Sequence, residues 1–166
     1  MYGLDRVDKA VLIGTVPPFL LKTADNPEGV DGQVFEGIKA AIVQDRYAYF
    51  GDFFDNFYNT DTFAPDRISD QALGRLLPGR GHRLAVRHLR VRRFLAGRLP
   101  RRPKIDVPVL AIHGTADRIL PFEATAGRLA GLVTDLRRVS VEGGPHNICW
   151  THHEEVNQAL LEFLAA

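Results

Sequence analysis

Cysteine is almost absent from this sequence: Cys149 is the one cysteine in 166 residues. A single thiol excludes an internal disulfide framework and a zinc site built on cysteines. No run of roughly eighteen apolar residues occurs, so no transmembrane helix and no membrane partner are expected. The opening Met1-Tyr2-Gly3-Leu4-Asp5-Arg6 has no apolar stretch of signal-peptide type, and the expected compartment is the cytoplasm. Net charge is also nearly absent, at +1, which on average points away from a polyanionic partner.

One absence is local. No Asp or Glu stands between Gln71 and Ile105, whereas ten of the 17 arginines fall between Arg75 and Arg102. With Lys104, this stretch holds 11 of the 21 basic residues, and the rest of the chain sets the other ten against all 20 acidic ones. A basic segment therefore sits in an acidic body. Three readings stay open. The segment is a nucleic-acid or membrane-surface patch. It is a solvated charged face, although such faces usually mix signs. Or it is GC-rich DNA read out of frame, which tends to give acid-free, arginine-rich text.

What is present is ordinary. The 45% hydrophobic and 25% charged residues match a soluble globular domain. At this length, one domain is expected. Lys9-Ala10-Val11-Leu12-Ile13-Gly14 reads as a short buried strand, and Pro17-Pro18 then break regular structure. Apolar residues recur at helical spacing from Val34 to Phe54, with Asp45 among the polar positions. An aromatic cluster, Tyr47 to Tyr58, reads as helix-packing core or as the wall of an apolar pocket. Ser69-Asp70-Gln71 is suited to start a further helix. Val107 to Gly114 reads as a second strand, Phe122 to Leu132 as a helix, and Arg138 to Val141 as a third strand. His153 to Leu164 reads as a closing amphipathic helix with Val156, Leu160, Phe163 and Leu164 inward. Strands alternating with helices imply an α/β fold with a parallel sheet.

Parallel sheets place functional groups at the carboxyl ends of their strands. The second strand runs into His113-Gly114-Thr115-Ala116-Asp117-Arg118-Ile119-Leu120-Pro121, and the third into Gly143-Gly144-Pro145-His146-Asn147. An Asp on one such loop and a His on the next can meet, so that the carboxylate fixes the imidazole tautomer and frees the other nitrogen as a base. Either residue alone is more often a turn former or a structural histidine.

The full pattern is more specific. His-Gly-x-x-Asp-Arg-Ile-x-Pro, then 29 positions from Asp117 to the His of Gly-Gly-Pro-His, resembles the α/β-hydrolase family. More narrowly, it resembles the cofactor-free haloperoxidase (chloroperoxidase) and esterase branch. Asp5-Arg6-Val7, Lys9 to Gly14, Pro17-Pro18, Ile105 to Pro108, His113 to Arg118, Pro145-His146 and Val156-Asn157 carry the likeness, over residues 1–73 and 103–166. The resemblance implies a partial α/β-hydrolase fold of about three parallel strands with flanking helices and a helical cap-like segment. It implies Asp117 as the triad acid and His146 as the triad base, with Phe19, Phe53, Phe54, Ile119 and Ile148 as candidates for pocket wall or core. It implies no cofactor and no metal. Substrates would be a small acyl ester, or a carboxylic acid with peroxide. His113 is expected to shape its loop, and His152 and His153 to cap or face solvent at the last helix.

The family nucleophile, a serine in Gly-x-Ser-x-Gly, has no counterpart here, where Ser69 and Ser140 are the only serines. The expectation is a C-terminal hydrolase portion over 1–166, inactive alone, with residues 74–103 as an anomalous insert in the cap region. Compensating frame changes would account for that insert. The first strand would then have a bare edge open to self-association. The rival expectations are a nucleic-acid-binding module using Arg75 to Arg102, with His82, His88 and Phe94 for limited stacking, and a non-catalytic decoy.

Overall fold

The computed structural model describes residues 7–16, 19–74, 105–131 and 133–166. The arginine-rich stretch from Arg75 to Arg102 therefore lies outside the described residues, as do Pro17 and Pro18. Three strands form one sheet in the order β1-β2-β3: Ala10–Ile13, Val109–Gly114 and Leu136–Val141. Both pairings are parallel, with Ala10 opposite Val109 and Val109 opposite Leu136. The expected parallel α/β sheet is what the structure has.

β2 is the middle strand, and all six of its residues are buried. Its apolar run from Val109 to Ile112 follows from that place, because a parallel strand covered on both faces has no solvent side. Leu110 and Ile112 pack on one face with Val141, Ile148, Val156 and Phe163. Val109 and Ala111 pack on the other with Ala126, Leu129 and Val133. The period-two alternation of strand side chains divides the core into these two halves.

The long helix is more extensive than the periodicity predicts. α1 spans Gly32–Tyr58, beyond both ends of the expected 34–54 range. Asp31 caps it by accepting from the Gln33 backbone N–H at 2.8 Å. It is interrupted at Asp45, whose φ of −153° and ψ of 98° are not helical. Asp45 is thus more than a polar position. Its Oδ1 accepts from the Tyr47 and Ala48 N–H groups at 2.9 and 3.1 Å, so it caps a second helical piece. In that piece Phe50, Phe54 and Tyr58 form a buried ridge at spacing four that packs on Ile68. Asn59 ends the helix in the left-handed region, φ 49° and ψ 59°, and a short α2, Thr60–Phe63, follows. Ser69 accepts from the Ala72 N–H at the start of the helical residues 70–74, as its sequence position predicts.

Three expectations are corrected. The helix expected from Phe122 is a pair of turns followed by a 3-10 helix, Ala126–Gly131. Pro121, Gly127 and Gly131 oppose a regular α-helix there, and the Thr125 hydroxyl donates to the Pro121 carbonyl instead. β3 starts two residues earlier than the expected Arg138. At the other end of the chain, α3, Ile148–Thr151, precedes α4, His153–Ala165. On α4 the buried stripe is Val156, Ala159 and Phe163, while Leu164 is exposed rather than inward. A 3.6-residue repeat that places 156, 159 and 163 on the sheet turns 164 away from it.

Candidate active site at the strand ends

The loops after β2 and β3 are zipped together. Thr115 N–H donates to the Val141 carbonyl at 2.9 Å, and Ala116 N–H to the Gly144 carbonyl at 3.1 Å. Gly143 N–H donates to the Thr115 hydroxyl oxygen at 2.8 Å. Gly114 permits this approach, because a Cβ there would stand 2.1 Å from the Gly144 carbonyl oxygen. Glycine is required by contact here, not by dihedral angle.

That zipper brings Asp117 and His146 together. His146 Nδ1 is 2.8 Å from Asp117 Oδ2. The other carboxylate oxygen accepts from the Ile119 and Leu120 backbone N–H groups at 2.9 and 2.8 Å, a turn in which Asp commonly bonds its own downstream backbone. His113 Nε2 lies 3.1 Å from Asp117 Oδ2 as well, and donates to the Leu120 carbonyl at 2.9 Å. The Asp117 side chain is almost fully buried. Burial alone would push its carboxyl pKa up, but hydrogen bonds from His113, His146 and the Leu120 N–H outweigh it and hold the group well below the usual carboxylate range. Asp117 is therefore ionised. An ionised carboxylate only accepts, so His146 donates through Nδ1, and a neutral imidazole in this orientation has its lone pair on Nε2.

The end of α1 supports both loops. Phe57 meets the His146 ring edge-on, with centroids 4.8 Å apart, and its carbonyl accepts from Asn147 N–H at 3.1 Å. Asn147 Nδ2 donates to the Tyr58 hydroxyl at 3.0 Å, and Asn59 Nδ2 donates to the Ala116 carbonyl at 2.9 Å. Three consecutive residues thus tie the helix end to the loops of Asp117 and His146. Arg118 pairs with Asp61 through two contacts of 3.0 Å at the surface. Gly14, at the end of β1, has φ +52°, and a Cβ on it would come 3.3 Å from His146 Cε1. All three strand ends therefore meet at His146.

Comparison with known proteins gives the family of the chain. A protein of Synechocystis sp. assigned as a non-heme chloroperoxidase is 50% identical over 164 residues, which is 98% of this chain and 59% of that protein. A bifunctional esterase/perhydrolase of Acinetobacter calcoaceticus is 30% identical over 98% of this chain and 60% of its own length. The crystal structure of a bromoperoxidase from Bacillus anthracis superposes with a TM-score of 0.74 at 27% identity, over 97% of this chain and 59% of that one. The chain belongs to the α/β-hydrolases, in their haloperoxidase and esterase branch. It spans about 60% of the length of the curated relatives it matches. No protein-family model matches the sequence.

The other expected site residues of this α/β-hydrolase fall in three places. Phe53 and Phe54 belong to the α1 aromatic cluster, with centroids 5.4 and 6.1 Å from Phe57, so they stand one ring behind the cover of His146. Ile119 packs at the edge of the Leu20, Leu120 and Ala124 cluster, and Phe19 lies under the Arg128 guanidinium at 5.5 Å. Ile148 is fully buried between the sheet and α4, in the core beneath the loop that carries His146. His152 is not a surface or capping group. It is buried, with its Nδ1 2.9 Å from the Thr151 hydroxyl and its ring edge-on to Phe63. Burial and the nearby Arg67 push its pKa down, against a smaller opposite pull from Glu155. His153 is exposed. No helix among the described residues is long and apolar enough to cross a membrane.

Phe57, Gly14 and the His113–Asp117 contact are the parts of the site that sequence reasoning missed. Gly14 carried a usable signal, since it ends an apolar strand at the same edge of the sheet as the two loops. His113 also carried one, standing four positions before the candidate acid. Phe57 was one aromatic among many and carried none.

Proposed function

We propose that this chain holds the acid and base of an ester-hydrolysing and peracid-forming centre, with Asp117 as the acid and His146 as the base. The observation that carries this reading is the 2.8 Å contact between His146 Nδ1 and Asp117 Oδ2 on neighbouring strand ends. It leaves Nε2, the nitrogen with a lone pair, to act on a reactant.

In this reading Nε2 takes the hydroxyl proton of a serine as the serine oxygen bonds to the ester carbonyl carbon. The imidazolium returns that proton to the departing alcohol oxygen as the ester C–O bond breaks. Water or hydrogen peroxide then attacks the acyl-serine, and His146 moves the proton from the attacking oxygen to the serine. The products are a carboxylic acid or a peracid, and the free serine. Asp117 stays ionised throughout, orients the imidazole and stabilises its charged form. The Acinetobacter relative's name, esterase/perhydrolase, supports both acceptors. Phe19, Phe53, Phe54 and Ile119 form the apolar surroundings for the acyl group in this proposal, and Ile148 holds the His146 loop from beneath.

Neither Ser69 nor Ser140 stands in a Gly-x-Ser-x-Gly setting, so the reading assigns the nucleophile to another polypeptide segment. The test is co-expression with the part of the Synechocystis relative that this chain does not match. Hydrolysis of p-nitrophenyl acetate should appear only with both pieces and vanish in His146→Ala. A folded, associated complex without activity, or activity that survives His146→Ala, contradicts the proposal.

A further inference from the structure

Asp117 Oδ2 accepts from two imidazoles, not one. His146 reaches it at 2.8 Å and His113 Nε2 at 3.1 Å. The His113 ring is fully buried, and its Nε2 is fixed as a donor because it also lies 2.9 Å from the Leu120 carbonyl, which can only accept. The same ring nitrogen therefore stands within reach of a carbonyl and a carboxylate together. Phe122 meets the ring edge-on, with centroids 5.8 Å apart.

We propose that His113 is a positioning residue that shares the Asp117 charge with His146. The inference rests on the assignment of Asp117 and His146 as acid and base. Each donor on one carboxylate oxygen withdraws charge that the other donor would otherwise meet. With His113 in place, the Asp117–His146 bond is weaker than an unshared one, and Oδ2 is held in the His146 ring direction. A carboxylate that bonded His146 without competition would hold the imidazolium more firmly and make it slower to give its proton back. His113 thus moderates the base that Asp117 orients.

Among the described residues, no other charged group competes for this role. From the β2 loop, His146 faces Asp117, and Arg118 is engaged by Asp61 at the surface. From α1 it faces the Phe57 ring, with the Tyr58 hydroxyl bonded to Asn147, and from β1 it faces Gly14.

The experiment is nitrogen and proton NMR of the histidine rings in the full chain. In the unaltered protein, His113 should carry its proton on Nε2 and His146 on Nδ1. A His113 protonated on Nδ1 alone overturns the proposal without any variant. In His113→Leu, the His146 Nδ1 proton should move downfield, as its bond to Asp117 shortens. His113→Gln places an amide N–H near the lost Nε2–H and should bring the resonance back. A purely space-filling His113 gives the opposite result, an upfield or broadened signal, and no change at all also overturns the proposal. Asp117→Asn separates the two claims. If it leaves the His146 ring signals unmoved, the acid–base assignment itself fails. If it moves them while His113→Leu does not, only the role of His113 fails.

Discussion

His146 donates through Nδ1 to Asp117 Oδ2 across 2.8 Å, although 29 positions separate them in the chain. The bond exists because two strand-end loops are held together by Gly114, which sits where no side chain fits. Its electrostatics follow from burial with four donors on one carboxylate: two backbone N–H groups and two imidazoles.

Gly114→Ala is expected to separate the loops. Its Cβ would lie 2.1 Å from the Gly144 oxygen, and backbone must move to relieve that. Overpacking of this kind costs about 3 kcal/mol. Urea unfolding should show a lower midpoint, and the His146 Nδ1 proton signal should weaken or disappear. An unchanged midpoint would contradict the close-contact argument.

Asp117→Asn should disable the base more than it unfolds the chain. An amide can face His146 with its N–H, which favours the wrong tautomer. In the co-expressed hydrolase this should lower kcat by roughly 10⁴-fold, the scale known for the equivalent change in a serine protease. Steady-state kinetics on p-nitrophenyl acetate reads it directly.

Acid should destabilise the native protein through Asp117. Its folded pKa lies below the ordinary 3.8, so the folded state binds this proton less readily than the unfolded one. The stabilisation is present above 3.8 and declines as pH falls from there through the depressed folded value. Measured stability should fall more steeply below pH 4 in the unaltered protein than in Asp117→Asn. Parallel acid profiles would refute this.

Asn59 supplies both a left-handed helix end and a bond to the Ala116 carbonyl. Asn59→Gly keeps the first and loses the second, whereas Asn59→Ala loses both. The alanine variant should be less stable than the glycine one by about 1 kcal/mol. Thermal unfolding of the two variants side by side tests the order.

β1 is paired along one edge only among the described residues, and each of its four residues is half-buried. An uncovered strand edge favours pairing with another chain. Sedimentation velocity should show association that rises with concentration. A concentration-independent monomer would remove this expectation.

Much of the fold was legible in the sequence because parallel-sheet strands and amphipathic helices have local signatures. The run Val107 to Gly114 announced a second buried strand, and the spacing of Val156 and Phe163 announced the closing helix. The failures were also local. Asp45 reads as a surface position, yet its side chain bonds the backbone and restarts the helix. The segment from Phe122 reads as an α-helix by its apolar content, but its glycines and the Thr125–Pro121 bond give turns and a 3-10 helix.

By itself the sequence determined the α/β class, the strand-end placement of Asp117 and His146, and their likeness to the acid and base of a known family. Those follow from residue type, period and spacing, which are properties of neighbouring positions. Only the tertiary structure decided that Phe57, Tyr58 and Asn59 tie α1 to both loops, that Gly14 lies against the His146 ring, and that His113 shares Asp117. These contacts join residues on different elements. Their existence depends on the register of β1, β2 and β3, on the helix end that packs over them, and on a loop approach of a few ångströms that no local pattern records.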